Sequence, residues 1–273
     1  TRNVAIGGVA LDNADGENDN LAIGYAALGG GIDGGEFNLA LGNYSLDALT
    51  TGDRNVGIGY NSLTANTTGY YNTSSGVNSL KLNTTGNLNV AMGETSLGSN
   101  TSGDQNVAIG TYSLTSNTTA SGNTAVGTYS LYENTSGARN VGIGLNSLFT
   151  NTTGSYNTSI GYATYASTNN ASNQTIIGYE ATGQADNSVV LGNDAVTAVY
   201  MGEDSGATVY AAGLNIGGTA ITSTAAELNL LAGVTALATS TNGLSDVLVE
   251  SNSIYVGNDP SSTTSTASYN VAL

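Results

Sequence analysis

The sequence predicts an all-β protein whose chain winds into a parallel β-roll, or β-solenoid, of 17-residue coils. The first observation is a repeat: Asn-x-x-x-Gly recurs every 17 residues, and only the step from Asn20 to Asn38 is one residue longer. The second is composition, because 38 glycines and no tryptophan suit a narrow solenoid better than a globular α/β enzyme. A period this strict indicates a stack in which each coil contacts mainly its neighbours.

An asparagine opens each predicted coil. These anchor asparagines are Asn3, Asn20, Asn38, Asn55, Asn72, Asn89, Asn106, Asn123, Asn140 and Asn157. If neighbouring coils stack at about 4.8 Å, the anchors are expected to form a ladder of side-chain amides along one edge of the rod. Looser copies of the repeat are expected at Asn173 and Asn187.

The first strand of a coil follows its anchor directly. The residues one and three after the anchor are apolar in most coils, as Val56 and Ile58 are, and they share one face of a strand. We expect them to fill the core together with the leucine eight residues after the anchor, which marks a second short strand. The residue between them is always Ala, Gly or Ser, which indicates close backbone on that side: a sister chain or the far wall of a narrow roll.

A glycine closes the first strand four residues after every anchor. These corner glycines are Gly7, Gly24, Gly42, Gly59, Gly76, Gly93, Gly110, Gly127, Gly144 and Gly161. The position predicts a positive φ angle or a corner too tight for a Cβ atom. Several coils then end in Asn-Thr-Thr-Gly or Asn-Thr-Ser-Gly, a composition typical of turns.

The repeat divides the chain into two regions. Residues 1–205 are predicted to form the β-roll array, with about twelve coils, and residues 206–273 a small mixed connector that leads into a further repeat. A capping-box sequence beginning at Thr224 predicts one short helix near 224–237. About three inward apolar side chains per coil make a thin core for one chain, so we expect the coils to associate as a homotrimer.

The element Asn-Val-Ala-Ile-Gly, as at 3–7 and 106–110, resembles the head repeats of trimeric autotransporter adhesins. This resemblance covers roughly residues 1–205. It implies left-handed parallel β-rolls, with three chains around one axis. The 17-residue period is somewhat longer than the period usual in that family.

The segments 221–235 and 253–264 are similar to linker repeats in the tail fibres of marine bacteriophages. In such fibres the second segment precedes a fresh array of coils, and the final Asn-Val-Ala-Leu of this chain fits that order. Together with the coils, this resemblance favours a phage fibre over a bacterial adhesin.

Two groups of side chains are candidate ligand sites. Asp12, Asp15, Glu17 and Asp19 lie between the first two coils, and their oxygens suit Ca²⁺. Their spacing matches neither the EF-hand loop nor the glycine-rich nonapeptide repeat, and a solvated acidic loop is the favoured explanation. Among 16 tyrosines, several recur at comparable outer positions and are candidate glycan contacts. These are Tyr25, Tyr60, Tyr71, Tyr156 and Tyr162. Tyrosines also pair along β-stacks without any ligand.

Composition excludes several other functions. A net charge of −16 disfavours nucleic acid and anionic membrane surfaces as partners. The chain has no cysteine and no histidine, and no run of about 18 apolar residues predicts a membrane span. We therefore expect no cofactor, no membrane insertion and no enzyme activity. The alternative of a polysaccharide depolymerase is suggested only by a carboxylate pair such as Glu203 and Asp204.

These observations predict a structural segment of an extracellular trimeric fibre used for host or surface attachment. The fibre is expected to be a phage tail fibre on the virion, whose partners are its own copies and a host glycan or protein. The head of a bacterial trimeric adhesin at the cell surface is one alternative. A monomeric ice-binding or surface-layer solenoid is another, and it requires a flat, regular array of threonines.

Overall fold

A single parallel sheet organises the first part of the molecule. The structure, a computed structural model, describes residues 2–12 and 18–200, together with the backbone of five later strands. The first compact unit is Thr1–Tyr200. Its strands are β1 (Val4–Ile6), β2 (Leu21–Ile23), β3 (Leu39–Leu41), β4 (Val56–Ile58), β5 (Thr73–Ser75), β6 (Val90–Met92), β7 (Val107–Ile109), β8 (Thr124–Val126), β9 (Val141–Ile143), β10 (Thr158–Ile160), β11 (Thr175–Ile177) and β12 (Val189–Leu191).

The twelve strands pair in sequence order, parallel and in register. Val107 pairs with Thr124, for example, and Ile109 with Val126, so equivalent residues of successive coils lie directly above one another. The chain thus makes about eleven turns of a solenoid, most of them 17 residues long. This architecture confirms the predicted all-β fold class. Within the described residues the structure contains no helix.

The second unit, Met201–Leu273, is described only by short strands. Strands β13 (Leu214–Ile216) and β14 (Thr219–Ile221) form an antiparallel pair, and β15 (Val247–Glu250), β16 (Ser253–Val256) and β17 (Val271–Ala272) form a three-stranded sheet. The helix predicted near 224–237 lies outside the described residues, as do Glu203 and Asp204.

The core differs from the prediction in one respect. The leucine eight residues after the anchor is fully buried in the eight coils from Leu28 to Leu148, as expected, but the small residue two after the anchor also points inward. The valines and isoleucines on either side of it point outward and stay partly exposed, as the strand β9 shows with a buried Gly142 between Val141 and Ile143. The expectation that Val and Ile fill the core is therefore wrong.

The width of the coil explains this inversion. A methyl group at Gly57 would lie 3.3 Å from Cγ of Leu46 and 3.3 Å from the carbonyl oxygen of Ser62, both on the opposite wall. Contacts at this distance are tighter than ordinary van der Waals packing, and Ala, Gly or Ser occupies this position from β1 to β10. In β11 the equivalent residue is the fully buried Ile176. The close neighbour that the small residues indicated is thus the far wall of the same narrow roll.

Candidate functional site

The anchor asparagines from Asn20 to Asn157 are buried and hydrogen-bonded to one another. From Asn20 to Asn157, the backbone N–H of each anchor donates to Oδ1 of the preceding anchor at 2.8–3.0 Å. Each Nδ2 also donates to a carbonyl near the end of its own coil, as Asn106 does to Ala120 at 2.9 Å. One side chain therefore both closes its coil and joins it to the neighbouring coil.

The ladder continues beyond Asn157 through a glutamine that the sequence pattern did not predict. Gln174 is 17 residues after Asn157, is buried, and donates its N–H to Oδ1 of Asn157 at 3.0 Å. Asn173 lies one position earlier with φ 55°, and its Nδ2 donates to Oδ1 of Asn187 on the exposed surface at 2.8 Å. The repeat was expected to resume at Asn173, and this is wrong. The prediction looked for the next asparagine, whereas the 17-residue period places the next ladder residue at Gln174.

A second asparagine ladder was not recognised in the sequence. Its members begin turns of sequence Asn-Thr-Thr-Gly, Asn-Thr-Ser-Gly or Asn-Thr-Thr-Ala and are fully or almost fully buried: Asn66, Asn83, Asn100, Asn117, Asn134 and Asn151. Each Nδ2 from Asn83 onward donates to the Oδ1 before it, at 2.7–3.3 Å. The next coil has Thr168 at this position. Among the described residues, only Oδ1 of Asn151 is a buried side-chain atom without a hydrogen-bond partner.

The corner glycines have the geometry that their position suggested. All ten have φ between 125° and 150°. A methyl group at Gly59 would lie 2.6 Å from the carbonyl oxygen of Gly76 in the next coil. The corners of successive coils therefore stack in direct backbone contact.

The five candidate glycan-contact tyrosines are all exposed, by 44–54%, and lie on two ridges. The corner ridge consists of the positions five and six after each anchor, and it contains Tyr25, Tyr60 and Tyr162. The pre-anchor ridge is the position just before each anchor, and it contains Tyr71 and Tyr156. Because these positions precede and follow the strand in every coil, the ridges flank the outward face of the sheet.

Most ridge tyrosines contact other rings or arginines. On the corner ridge, Tyr44 meets Tyr25 and Tyr60 edge to face, with centroids 5.5 and 5.9 Å apart. On the pre-anchor ridge, the Arg54 guanidinium lies 5.4 Å from the centroid of Tyr71, and Nη1 of Arg139 donates to the Tyr156 hydroxyl at 2.6 Å. All three arginines of the chain, the two named and Arg2, occupy this ridge.

A cluster of four rings was missed at the sequence level. We call Tyr112, Tyr129, Tyr132 and Phe149 the four-ring cluster. Tyr112 stacks on Tyr129 at 5.4 Å, and Tyr132 stacks on Phe149 at 5.1 Å. The two stacks meet edge to face, with Tyr129 and Tyr132 5.4 Å apart. Nothing in the spacing of these residues indicates the contact, because positions six and nine of a coil become neighbours only once the path of the coil is known.

The acidic candidate site is described only in part. Asp15 and Glu17 lie outside the described residues. The carboxylate of Asp19 accepts hydrogen bonds from Nε and Nη2 of Arg2, at 2.7 and 2.5 Å. These bonds hold the pKa of Asp19 below its usual value. The Ca²⁺ site stays a prediction, and two of the oxygens assigned to it bind Arg2 instead.

Threonine and serine pairs form two parallel columns on another side of the rod. They are Thr50–Thr51, Thr67–Thr68, Thr84–Thr85, Thr101–Ser102, Thr118–Thr119, Thr135–Ser136 and Thr152–Thr153. The first hydroxyl of each pair donates to a carbonyl of the next coil at 2.9–3.3 Å, so these side chains share one orientation. The turns that carry these pairs stack in register, so the threonines form the regular array that an ice-binding solenoid requires.

Comparison of the chain with protein-family models, with curated proteins and with solved structures finds no match. The resemblances to adhesin heads and to phage tail fibres therefore stay hypotheses about this chain. In the described residues there is no helix long and apolar enough to cross a membrane.

Proposed function

We propose that this chain is a structural segment of an extracellular fibre that associates through the outward face of its sheet and serves attachment to a host or a surface. The assembly proposed is a homotrimer, and the fibre a phage tail fibre on the virion. A solenoid of in-register coils supports a mechanical role, because it extends in one direction by about 4.8 Å per coil. The proposal assigns no enzyme activity to the chain.

The apolar outward face of the sheet carries this proposal. The residue three after the anchor is apolar in eleven of the twelve strands, with Ser75 the exception, and the column runs the length of the sheet. Many of these side chains, such as Met92, Ile109 and Ile143, are 37–43% exposed. Soluble monomers rarely expose continuous apolar patches of more than a few hundred Å².

A second copy of the same chain is the partner that best fits this face. None of the strand residues one and three after the anchors is charged, although the chain carries a net charge of −16. Packing these uncharged faces together leaves the negative charges on the outside, where they repel least. Three copies, rather than two, are proposed from the resemblance to adhesin heads.

The molar mass of the 273-residue chain tests this proposal. Light scattering after size exclusion is expected to give three times the chain mass of 27.2 kDa. The double substitution Ile109→Glu and Ile143→Glu places charges on the outward face and is expected to produce monomers. Thr119→Glu and Thr153→Glu, on an exposed turn, are the matched control and should leave the mass unchanged. A well-folded wild-type monomer would contradict the proposal.

The full reading frame separates a phage fibre from the alternative of a bacterial trimeric adhesin. An adhesin would carry a secretion signal and a C-terminal membrane anchor, and a phage fibre would carry neither. The other alternative, a depolymerase, would release reducing ends from host polysaccharide, and we expect no such release.

A monomeric ice-binding solenoid is the second candidate function, and the in-register Thr/Ser pairs are the observation that favours it. If this candidate is right, the purified chain is a monomer and lowers the freezing point of water below the melting point. Replacing the exposed Thr85 and Thr119 by lysine would then remove most of this thermal hysteresis, because long charged side chains interrupt the array. A trimer without hysteresis would exclude this candidate.

A further inference from the structure

The coils of this protein can be compared with one another, because each performs the same structural task. At the position nine after the anchor, other coils have Asp47, Thr64, Lys81, Gly98 and Thr115. The same fold therefore forms with small, polar or charged residues at this position. The rings of Tyr132 and Phe149 are not required by the coil, and their presence in consecutive coils needs another explanation.

The four-ring cluster is the largest group of contacting aromatic rings among the described residues. It spans three consecutive coils, so its length along the rod is about 10 Å. Tyr129 is 36% exposed, and the other three rings are half-buried. In each coil the rings follow the corner glycine, so they lie outside the strands that form the outward face of the sheet.

The size and charge of the cluster restrict its ligand. A stable protein interface buries about 800 Å² on each partner, which is far more than four half-buried rings on a narrow rod provide. Glu133 adjoins Tyr132, and within the described residues the arginines lie over the rings of Phe37, Tyr71 and Tyr156, none of which belongs to the cluster. An anionic ligand would thus meet no cation, and the net charge of −16 would repel it.

Uncharged sugars have the chemistry that fits such a surface. Their C–H faces pack against aromatic rings, whose faces are electron-rich, and their hydroxyls can exchange hydrogen bonds with tyrosine hydroxyls. The cluster offers three tyrosine hydroxyls. Thr111 and Thr128 directly precede two of the tyrosines in the sequence, and Thr115 occupies position nine in the coil before that of Tyr132.

From these observations we infer that the four-ring cluster is a binding site for an uncharged oligosaccharide. The inference rests on the proposed function, in which the fibre attaches to a surface, and it places one attachment site on the side of the rod. The site differs from the five tyrosines that the sequence suggested.

An array of immobilised oligosaccharides tests the inference with the full chain. The array carries uncharged hexose and N-acetylhexosamine oligomers together with oligomers that contain uronic or sialic acid. Binding is expected to uncharged oligomers only. The double substitution Tyr132→Thr and Phe149→Thr is expected to weaken this binding about tenfold or more, because a few aromatic side chains usually carry most of the energy of a site.

The control variant removes a different stacked pair. Tyr162 and Tyr179 stack at 5.4 Å on the corner ridge, and replacing both by threonine removes one stacked pair, as the cluster variant does. Threonine is a residue that other coils have at each of these positions, as Thr64 and Thr111 show, so both variants are expected to fold and to keep the wild-type molar mass.

Three results would overturn the inference. They are a wild-type chain that binds no uncharged oligosaccharide, a cluster variant that binds as the wild type does, and a control variant that loses as much binding as the cluster variant. Failure of the proposed self-association appears separately, as a monomeric mass, and is not confused with any of these.

Discussion

Replacing Gly110 by alanine is expected to lower the free energy of unfolding by roughly 3 kcal/mol or more, because two independent penalties combine at this position. The backbone has φ 131°, a conformation that L-residues rarely adopt. The added methyl group would also lie 2.6 Å from the carbonyl carbon of Gly127 and 2.9 Å from the backbone nitrogen of Thr128. Neither neighbour can move without separating two coils.

Urea unfolding followed by far-ultraviolet circular dichroism measures this effect, at one fixed protein concentration because association would shift the midpoint. Gly31→Ala is the matched control: a methyl group there meets nothing within 4 Å, and the φ angle of Gly31 is outside the left-handed region. We expect its midpoint to equal or slightly exceed that of the wild type. Equal midpoints for the two variants would show that corner stacking does not limit stability.

The substitution Asn106→Asp is expected to destabilise the rod at pH 7 by roughly 3 kcal/mol or more, because it places a carboxylate where an amide donated hydrogen bonds. Nδ2 of Asn106 donates to the carbonyl of Ala120 at 2.9 Å and to Oδ1 of Asn89 at 3.3 Å. A carboxylate oxygen at that place would face two acceptors. The acceptor role toward the N–H of Asn123 would remain.

The pH dependence of this variant has a definite sign. Burial and nearby acceptors disfavour the carboxylate, so the pKa of the new aspartate is raised in the folded state above its unfolded value of about 3.9. The stability that the variant lacks at pH 7 therefore returns as the pH falls through the folded pKa, since the protonated acid can donate to Ala120. The difference in urea midpoint between variant and wild type is expected to narrow from pH 7 to pH 4.

Asn146→Asp provides the comparison, because Asn146 is a partly exposed residue six positions after its anchor. Surface substitutions of this kind usually change stability by less than about 0.5 kcal/mol. Two outcomes would mean that the ladder amide contributes little to stability. In one, the difference in urea midpoint between Asn106→Asp and the wild type stays constant across the pH range. In the other, that difference is no larger than the difference for Asn146→Asp.

The period, the strands and the corner glycines were predictable because every coil lies on a copy of itself. Identical neighbours impose identical requirements, so a residue needed once, such as Gly59, is needed in each coil. Repetition thus makes a single sequence nearly as informative as an alignment. The same reasoning gives the burial of leucines such as Leu63, which is confirmed.

The direction of the strand residues was not predictable in the same way. The alternation of Val56, Gly57 and Ile58 is compatible with either face pointing inward, and hydrophobicity alone favours the wrong one. The deciding quantity is the distance between opposite walls of a coil, which depends on the whole path of the chain. The second asparagine ladder was not predictable for a related reason. A turn sequence such as the one that begins at Asn66 is typical of an exposed turn, and the same sequence also forms a buried ladder.

The single 18-residue coil has a practical consequence. Nδ2 of Asn20 reaches the carbonyl of Gly35, fifteen residues on, where other anchors bond fourteen residues on, so the extra residue lies between Leu28 and Gly35. The hydrogen bond from the backbone N–H of Asn38 to Oδ1 of Asn20 is 2.8 Å long despite the extra residue. This arc of the coil can therefore change length while its two ends stay fixed. Foreign peptides are best inserted in this arc. Peptides inserted in the same arc of several coils would lie in a row along one side of the rod.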